Sequence, residues 1–249
     1  EMCIRDSLTV NKEPLETAKN QLQANIDQKP STDGMTQQSV QSYERKLQEA
    51  KDKINSINNV LANNPDVNAI RTNKVETEQI NNELTQAKQG LTVDKQPLIN
   101  AKTALQQSLD NQPSTTGMTE ATIQNYNAKR QKAEQVIQNA NKIIENAQPS
   151  VQQVSDEKSK VEQALSELNN AKSALRADKQ ELQQAYNQLI QPTDLNNKKP
   201  ASITAYNQRY QQFSNELNST KTNTDRILKE QNPSVADVNN APVSYTHLT

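Results

Sequence analysis

The chain has 249 residues, 32% of them hydrophobic and 3% aromatic, with 28 basic and 29 acidic side chains giving a net charge of −1. So few aromatic side chains argue against one large globular core, and mixed charge without a basic stripe argues against nucleic-acid partners. No apolar run is long enough to cross a bilayer, so no membrane contact is expected within this segment, and good helix formers at helical spacing predict an all-α fold.

Residues 1–7 fit nothing that follows. They read as a non-native tail resembling translated adapter sequence, and they hold the single cysteine, Cys3. Leu8-Thr9-Val10-Asn11-Lys12 opens the first of three units. The same phase returns as Leu91-Thr92-Val93-Asp94-Lys95, and again as Leu175-Arg176-Ala177-Asp178-Lys179 at a nearly equal interval. A fixed period of this size means one structural unit used repeatedly. The units are 8–90, 91–174 and a truncated 175–241, with 242–249 a second non-native tail that carries the only histidine, His247.

Each unit predicts three helices of roughly 25 residues, joined by short loops into an up-down-up bundle. The first helix is predicted to start at a cap, Asn11, Asp94 or Asp178, with Asp178 and Glu181 spaced as a capping box. Its apolar seam is Leu15, Ala18, Leu22 and Ile26, then Leu98, Ala101, Leu105 and Leu109, then Leu182, Ala185 and Leu189. Asp33-Gly34-Met35-Thr36 and Thr116-Gly117-Met118-Thr119 precede the second helix. Thr36 and Thr119 read as N-caps, with Met35 and Val40, and Met118 and Ile123, at the spacing of a hydrophobic staple. An exposed Gly-Met-Thr loop also has the reading of a binding tip. In the third unit Lys198-Lys199-Pro200-Ala201 replaces it, and the sequence predicts a shorter loop and a second helix about one turn longer.

The second helix carries the clearest seam, through Val40, Tyr43, Leu47, Ala50, Ile54, Ile57 and Leu61. Ile123, Tyr126, Arg130, Ala133, Ile137, Ala140, Ile144 and Ala147 repeat it, as do Ile203, Tyr206, Tyr210, Phe213, Leu217, Thr220, Thr224 and Ile227. Alternating steps of three and four put one residue per turn on a single face. The tyrosines on it read as core rather than as ligand-stacking groups, and the Arg130 stem is expected to lie along the seam with its head in water. The third helix follows Pro65, Pro149 and Pro233, with Ser150-x-x-Gln153 a further capping box. Its seam is Ile70, Thr77, Ile80, Leu84, Ala87 and Leu91, then Val154, Val161, Leu165, Leu168, Ala171 and Leu175. Few residues separate the units, which are therefore expected to stack end to end as tandem three-helix bundles in an elongated rod. In the third unit this helix stops near Ala241, so its second helix is expected to remain partly uncovered.

Nothing in the repeats supports catalysis. They hold no histidine or cysteine for a triad, a base or a metal site, and no glycine-rich phosphate loop. Catalytic, cofactor and metal residues are therefore expected to be none, and no binding residues stand out.

The order Leu-x-x-Ala, then Gly-Met-Thr-x-x-(Ser/Thr)-(Val/Ile)-x-x-Tyr, then Pro-x-Val before a third helix resembles the FIVAR repeat of giant staphylococcal surface proteins, over roughly residues 8–241. The resemblance implies an extracellular protein anchored to the cell wall through parts outside this segment. It further implies host matrix protein as partner, fibronectin foremost, alongside neighbouring repeats of the same chain. Two functions follow: an adhesive array, or a mechanical spacer or envelope scaffold whose repeats separate other modules. An intracellular coiled-coil scaffold is disfavoured because Pro65, Pro149 and Gly34 interrupt a continuous rod.

Overall fold

The structure, a computed structural model, describes residues 9–190 and 193–241. The tails 1–7 and 242–249, with Cys3 and His247, and the opening Leu8 lie outside the described residues. The described chain is all-α. Helices α1 (Glu13–Asp27), α2 (Gln37–Ala62) and α3 (Val67–Gln89) are followed by α4 (Gln96–Asp110), α5 (Glu120–Glu145) and α6 (Val151–Ser173). The third set is α7 (Gln180–Leu189), α8 (Pro200–Lys229) and α9 (Val235–Asn240). The chain forms two compact units, Glu1–Ala101 with Asn139–Ser159, and Lys102–Gln138 with Lys160–Thr249.

In the first unit α1, α2 and α3 form a three-helix bundle. Leu15, Ala18, Leu22 and Ile26 are all buried, as their seam predicts. They meet Tyr43, Ala50 and Ile57 of α2 and Ile70 and Leu84 of α3. A fully buried Leu contributes on the order of 2 kcal/mol, and Leu15, Leu22 and Leu84 are all at 0% exposure. The α2 seam is narrower than predicted. Its inner line is Tyr43, Ala50 and Ile57, while Leu47, Ile54 and Leu61 lie half-buried along its edge. Lys53 enters beside this line, its Nζ 2.6 Å from Glu76 and 2.9 Å from the Asn73 side chain. The same unit holds Leu98, Ala140, Val154 and Glu157 in buried positions.

The second unit repeats the pattern. Leu105 and Leu109 of α4, Tyr126 and Ala133 of α5, and Val161, Ala164, Leu168 and Ala171 of α6 are buried. Beyond them Ala177, Leu182, Ile227, Val238 and Ala241 form a separate cluster. On α8 only Thr224 and Ile227 are buried; Tyr210 is 44% exposed and Phe213 36%. The expected uncovered seam is therefore present, opposite the six-residue α9.

Helix lengths are not uniform as the sequence predicts. The first helices of the first two repeats have 15 residues, because each runs into a proline-containing connection, Pro30 or Pro113. In the third set the deletion falls in the helix rather than the loop, since α7 has 10 residues and ends three before Pro192. Helix α8 has 30 residues against 26 in α5, the extra turn that its sequence predicts.

Candidate interaction surface at the repeat junctions

The Gly-Met-Thr loop is positioned by a connection on both sides. Gly34 has φ +72° and Gly117 φ +75°, left-handed conformations that suit glycine. Each turn closes by a backbone bond, Met35 N–H to the Thr32 carbonyl and Met118 N–H to the Thr115 carbonyl. The expected N-cap is present at Thr36, while at Thr119 the contact is between hydroxyls. Thr36 Oγ1 accepts from Ser39 N–H at 3.4 Å, a weak contact, while the Thr119 and Thr122 hydroxyls pair at 2.9 Å.

The loop does more than cap. Met35 forms an antiparallel bridge with Val93, and Met118 one with Ala177. Thr36 N–H donates to the Thr92 carbonyl at 2.7 Å, and Asp94 N–H donates to the Gly34 carbonyl at 2.8 Å. Thr119 to Arg176 and Asp178 to Gly117 repeat both bonds, each at 2.8 Å. The methionines therefore serve an inter-repeat bridge beyond the staple predicted for them. The predicted Asp178-x-x-Glu181 capping box is not what forms. The Asp178 N–H that Glu181 would need is committed to Gly117, and the Asp178 carboxylate accepts from Gln180 N–H instead. Asn11 and Asp94 make the same short turn with Glu13 and Gln96. The Ser150-x-x-Gln153 box does form, with bonds of 2.8 and 3.0 Å in the two directions.

A third element completes each junction. A Cβ on Gly34 would sit 2.5 Å from Val151 Cγ1, and one on Gly117 would sit 2.6 Å from Val235 Cγ1. The first residue of the next repeat's third helix thus presses on the glycine. Lys95 then donates to the Ile144 carbonyl at 2.7 Å and to that of Asn146. Lys179 donates to Leu228 and Glu230, and Lys12 to Leu61. Each lysine supplies donors and positive charge to the carbonyl end of its own repeat's second helix. Lys88 and Lys172 close the ends of α1 and α4 in the same way, contacting Asn25 and Gln28, and Ser108 and Asn111. Burial lowers the pKa of both. Lys12, Lys95 and Lys179 enter the sequence reading only as markers of period; their recurrence is the available signal for a structural role.

Elsewhere the surface is mainly polar, with Val67, Val75, Ile190, Tyr210 and Phe213 as exposed large hydrophobics. A groove is lined by Asn25, Asn81, Thr85 and Lys88, with Asn25 donating to Asn81 and Thr85. The second repeat has Ser108, Leu165 and Asn169 at those places, so the bond to Asn81 has no counterpart while that to Thr85 is matched by Ser108 with Asn169. Arg130 lies 3.3 Å from Glu134, its side chain 39% exposed, as the seam reading expects. Tyr43 and Tyr126 are buried. The Tyr206 hydroxyl donates to Thr193, and its ring lies 6.0 Å from that of Tyr210. Among the described residues no group of three or more His, Cys, Asp or Glu could hold a metal ion, and no helix is long and apolar enough to cross a membrane.

A model of the FIVAR domain matches residues 18–92, 101–169 and 185–242. The chain belongs to the FIVAR family. These FIVAR repeats are 51% identical over 131 residues to the extracellular matrix-binding protein EbhB of Staphylococcus aureus strain Newman, covering 53% of this chain and 2% of that protein. The extracellular matrix-binding protein ebh of strain COL matches at 51% over 131 residues, covering 53% of this chain and 1% of its own length. The chain thus spans a very small part of the relatives it matches. A solved structure is 30% identical, covering 66% of this chain and 99% of that one with a TM-score of 0.25. It comes from a characterisation of extracellular matrix binding protein (Embp)-mediated Staphylococcus epidermidis adherence to fibronectin.

Proposed function

We propose that this segment is part of a bacterial surface adhesin that binds host extracellular matrix through weak contacts repeated along many FIVAR units. The observation that carries the reading is the 51% identity to proteins named for extracellular matrix binding. The ligand proposed is fibronectin, as the FIVAR resemblance implies, and the location is the cell surface, with the wall anchor supplied by parts of the protein outside this segment. Each repeat offers little for tight recognition. Charges of both signs are mixed along it, and some pair within the bundle, as in Lys46 with Glu83 and Lys129 with Glu167. In the first two repeats both seam tyrosines are buried, so no exposed aromatic anchors a contact there. Attachment then comes from linked copies, which raise the effective concentration of each next contact. A reading as a pure spacer is favoured by the groove at Asn25 and Lys88, whose polar groups bond one another.

Surface plasmon resonance over immobilised fibronectin tests this, using the chain alone and tandem fusions of two and four copies. Binding that rises steeply with copy number and changes little between low and high salt supports the adhesin, since no charged patch drives it. No binding by four copies supports the spacer. Tight binding by a single copy contradicts the avidity mechanism.

A further inference from the structure

Asp33 stands apart from the other described aspartates. Each of their carboxylates accepts a hydrogen bond within the chain. The donor is a glutamine four residues before at Asp27 and Asp52, a main-chain N–H at Asp94 and Asp178, and a lysine at Asp225. The carboxylate of Asp33 accepts none, and the residue is exposed. Asp33 is also the only aspartate followed by glycine. Gly34 is exposed in its turn, and its N–H is unbonded, whereas those of Met35 and Thr36 are both engaged. The carboxyl and the amide of this dipeptide are therefore both free, in the loop that makes the first junction. The Gly34 carbonyl accepts from Asp94 N–H at 2.8 Å, and Val151 lies against the glycine. The second junction has the same bonds, but Thr116 precedes its glycine.

We propose that Asp33 is a site of spontaneous isoaspartate formation, and that this modification releases the first junction while sparing the second. The Gly34 nitrogen attacks Cγ of the Asp33 carboxyl. A bond forms between them, and the carboxyl hydroxyl leaves as water with the Gly34 amide proton, giving a five-membered succinimide. Glycine favours the step because no Cβ shields its nitrogen and its backbone rotates freely. Water then opens the ring. Addition at Cγ restores aspartate. Addition at the α-carbonyl breaks its bond to the Gly34 nitrogen and leaves isoaspartate, with the main chain running through Cβ and Cγ and the α-carboxyl free. Water is released and taken up again, so no oxidant, cofactor or enzyme is required. The main chain gains one carbon at a place with no slack. The turn closes from Met35 N–H to the Thr32 carbonyl, and a Cβ on Gly34 would already lie 2.5 Å from Val151. The longer chain displaces the Gly34 carbonyl from Asp94. Thr116 has no carboxyl with which to do the same to Gly117.

Ageing the full chain at neutral pH and body temperature tests this, with isoaspartate located by peptide mapping and by an isoaspartate-specific carboxyl methyltransferase. Isoaspartate at position 33 should exceed that at any other aspartate by at least about tenfold, since only there is the next residue glycine. Asp33→Glu keeps the charge but would need a larger ring, and should abolish the signal. Hydrogen exchange on the aged fraction reads the consequence. The Asp94 amide should exchange at least about tenfold faster than before ageing, and the Asp178 amide at its original rate. Isoaspartate that accumulates at 33 in urea but not in the folded chain would overturn the proposal, because the closed turn would then protect the site. So would equal accumulation at Asp52 or Asp94. Isoaspartate at 33 with an unchanged Asp94 amide would overturn the release of the junction.

Discussion

Helices α5 and α8 carry the same stripe of apolar positions, yet they end in different environments. On α5, Tyr126, Ala133 and Ala140 are buried under a third helix of 23 residues. On α8, Tyr206 and Leu217 are half-buried and Tyr210 and Phe213 are exposed, opposite a third helix of six. The more aromatic seam is thus the less buried one. A helical stripe specifies what is to be covered, but burial needs the third partner.

That contrast sets the largest predicted difference. Leu105→Ala removes a side chain at 0% exposure and should cost about 2–4 kcal/mol in urea unfolding. Phe213→Ala, at an open position, should cost less than about 1 kcal/mol. Leu47→Ala and Ile137→Ala, on the half-buried edge, should fall between them. A larger loss at Phe213 than at Leu105 would mean that the α8 face is covered in solution.

Much of this was legible in the sequence because the helical period and the long repeat reinforce each other. All four seam residues of α1 are buried, and the three prolines before the third helices, Pro65, Pro149 and Pro233, are buried as well. The junction was not legible. Its bridge uses backbone groups of Gly34, Thr36, Thr92 and Asp94, which leave no side-chain pattern, and its partners come from different repeats. Buried charge was missed for another reason. It shifts between helices, from Lys53 on α2 to Glu157 on α6, so position alone gives no period.

A smaller effect separates the glycines. Gly117→Ala places a Cβ 2.6 Å from Val235 in a left-handed backbone and should cost about 1–3 kcal/mol. Gly90, with φ −81°, would bring a Cβ no nearer than 3.3 Å to Gln86, so Gly90→Ala should change stability by less than about 0.5 kcal/mol. Equal costs in urea unfolding would show that Val235 does not press on the loop. Thr119→Ala should cost about 1 kcal/mol by removing the hydroxyl pair at the start of α5.

The smallest effect is electrostatic. Hydrogen bonds from Lys132, then Lys129 and Gln163, hold the Glu167 carboxyl down to about 2. Its folded pKa lies below the unfolded one, so its contribution is present above about pH 4.5 and is lost as pH falls toward 2. Glu83, held by Lys46 and Gln79, is shifted in the same direction. Carboxyl titration by NMR should find the Glu167 midpoint near pH 2; an ordinary midpoint would show that the lysines do not hold it.

Amide hydrogen exchange along α5 and α8 tests the central claim most directly, that a complete third helix is what closes each repeat. Residues 203–217 should exchange at least about tenfold faster than 123–137, with protection recovering toward Thr224 and Ile227, where α9 packs. Equal protection along both helices would contradict the account.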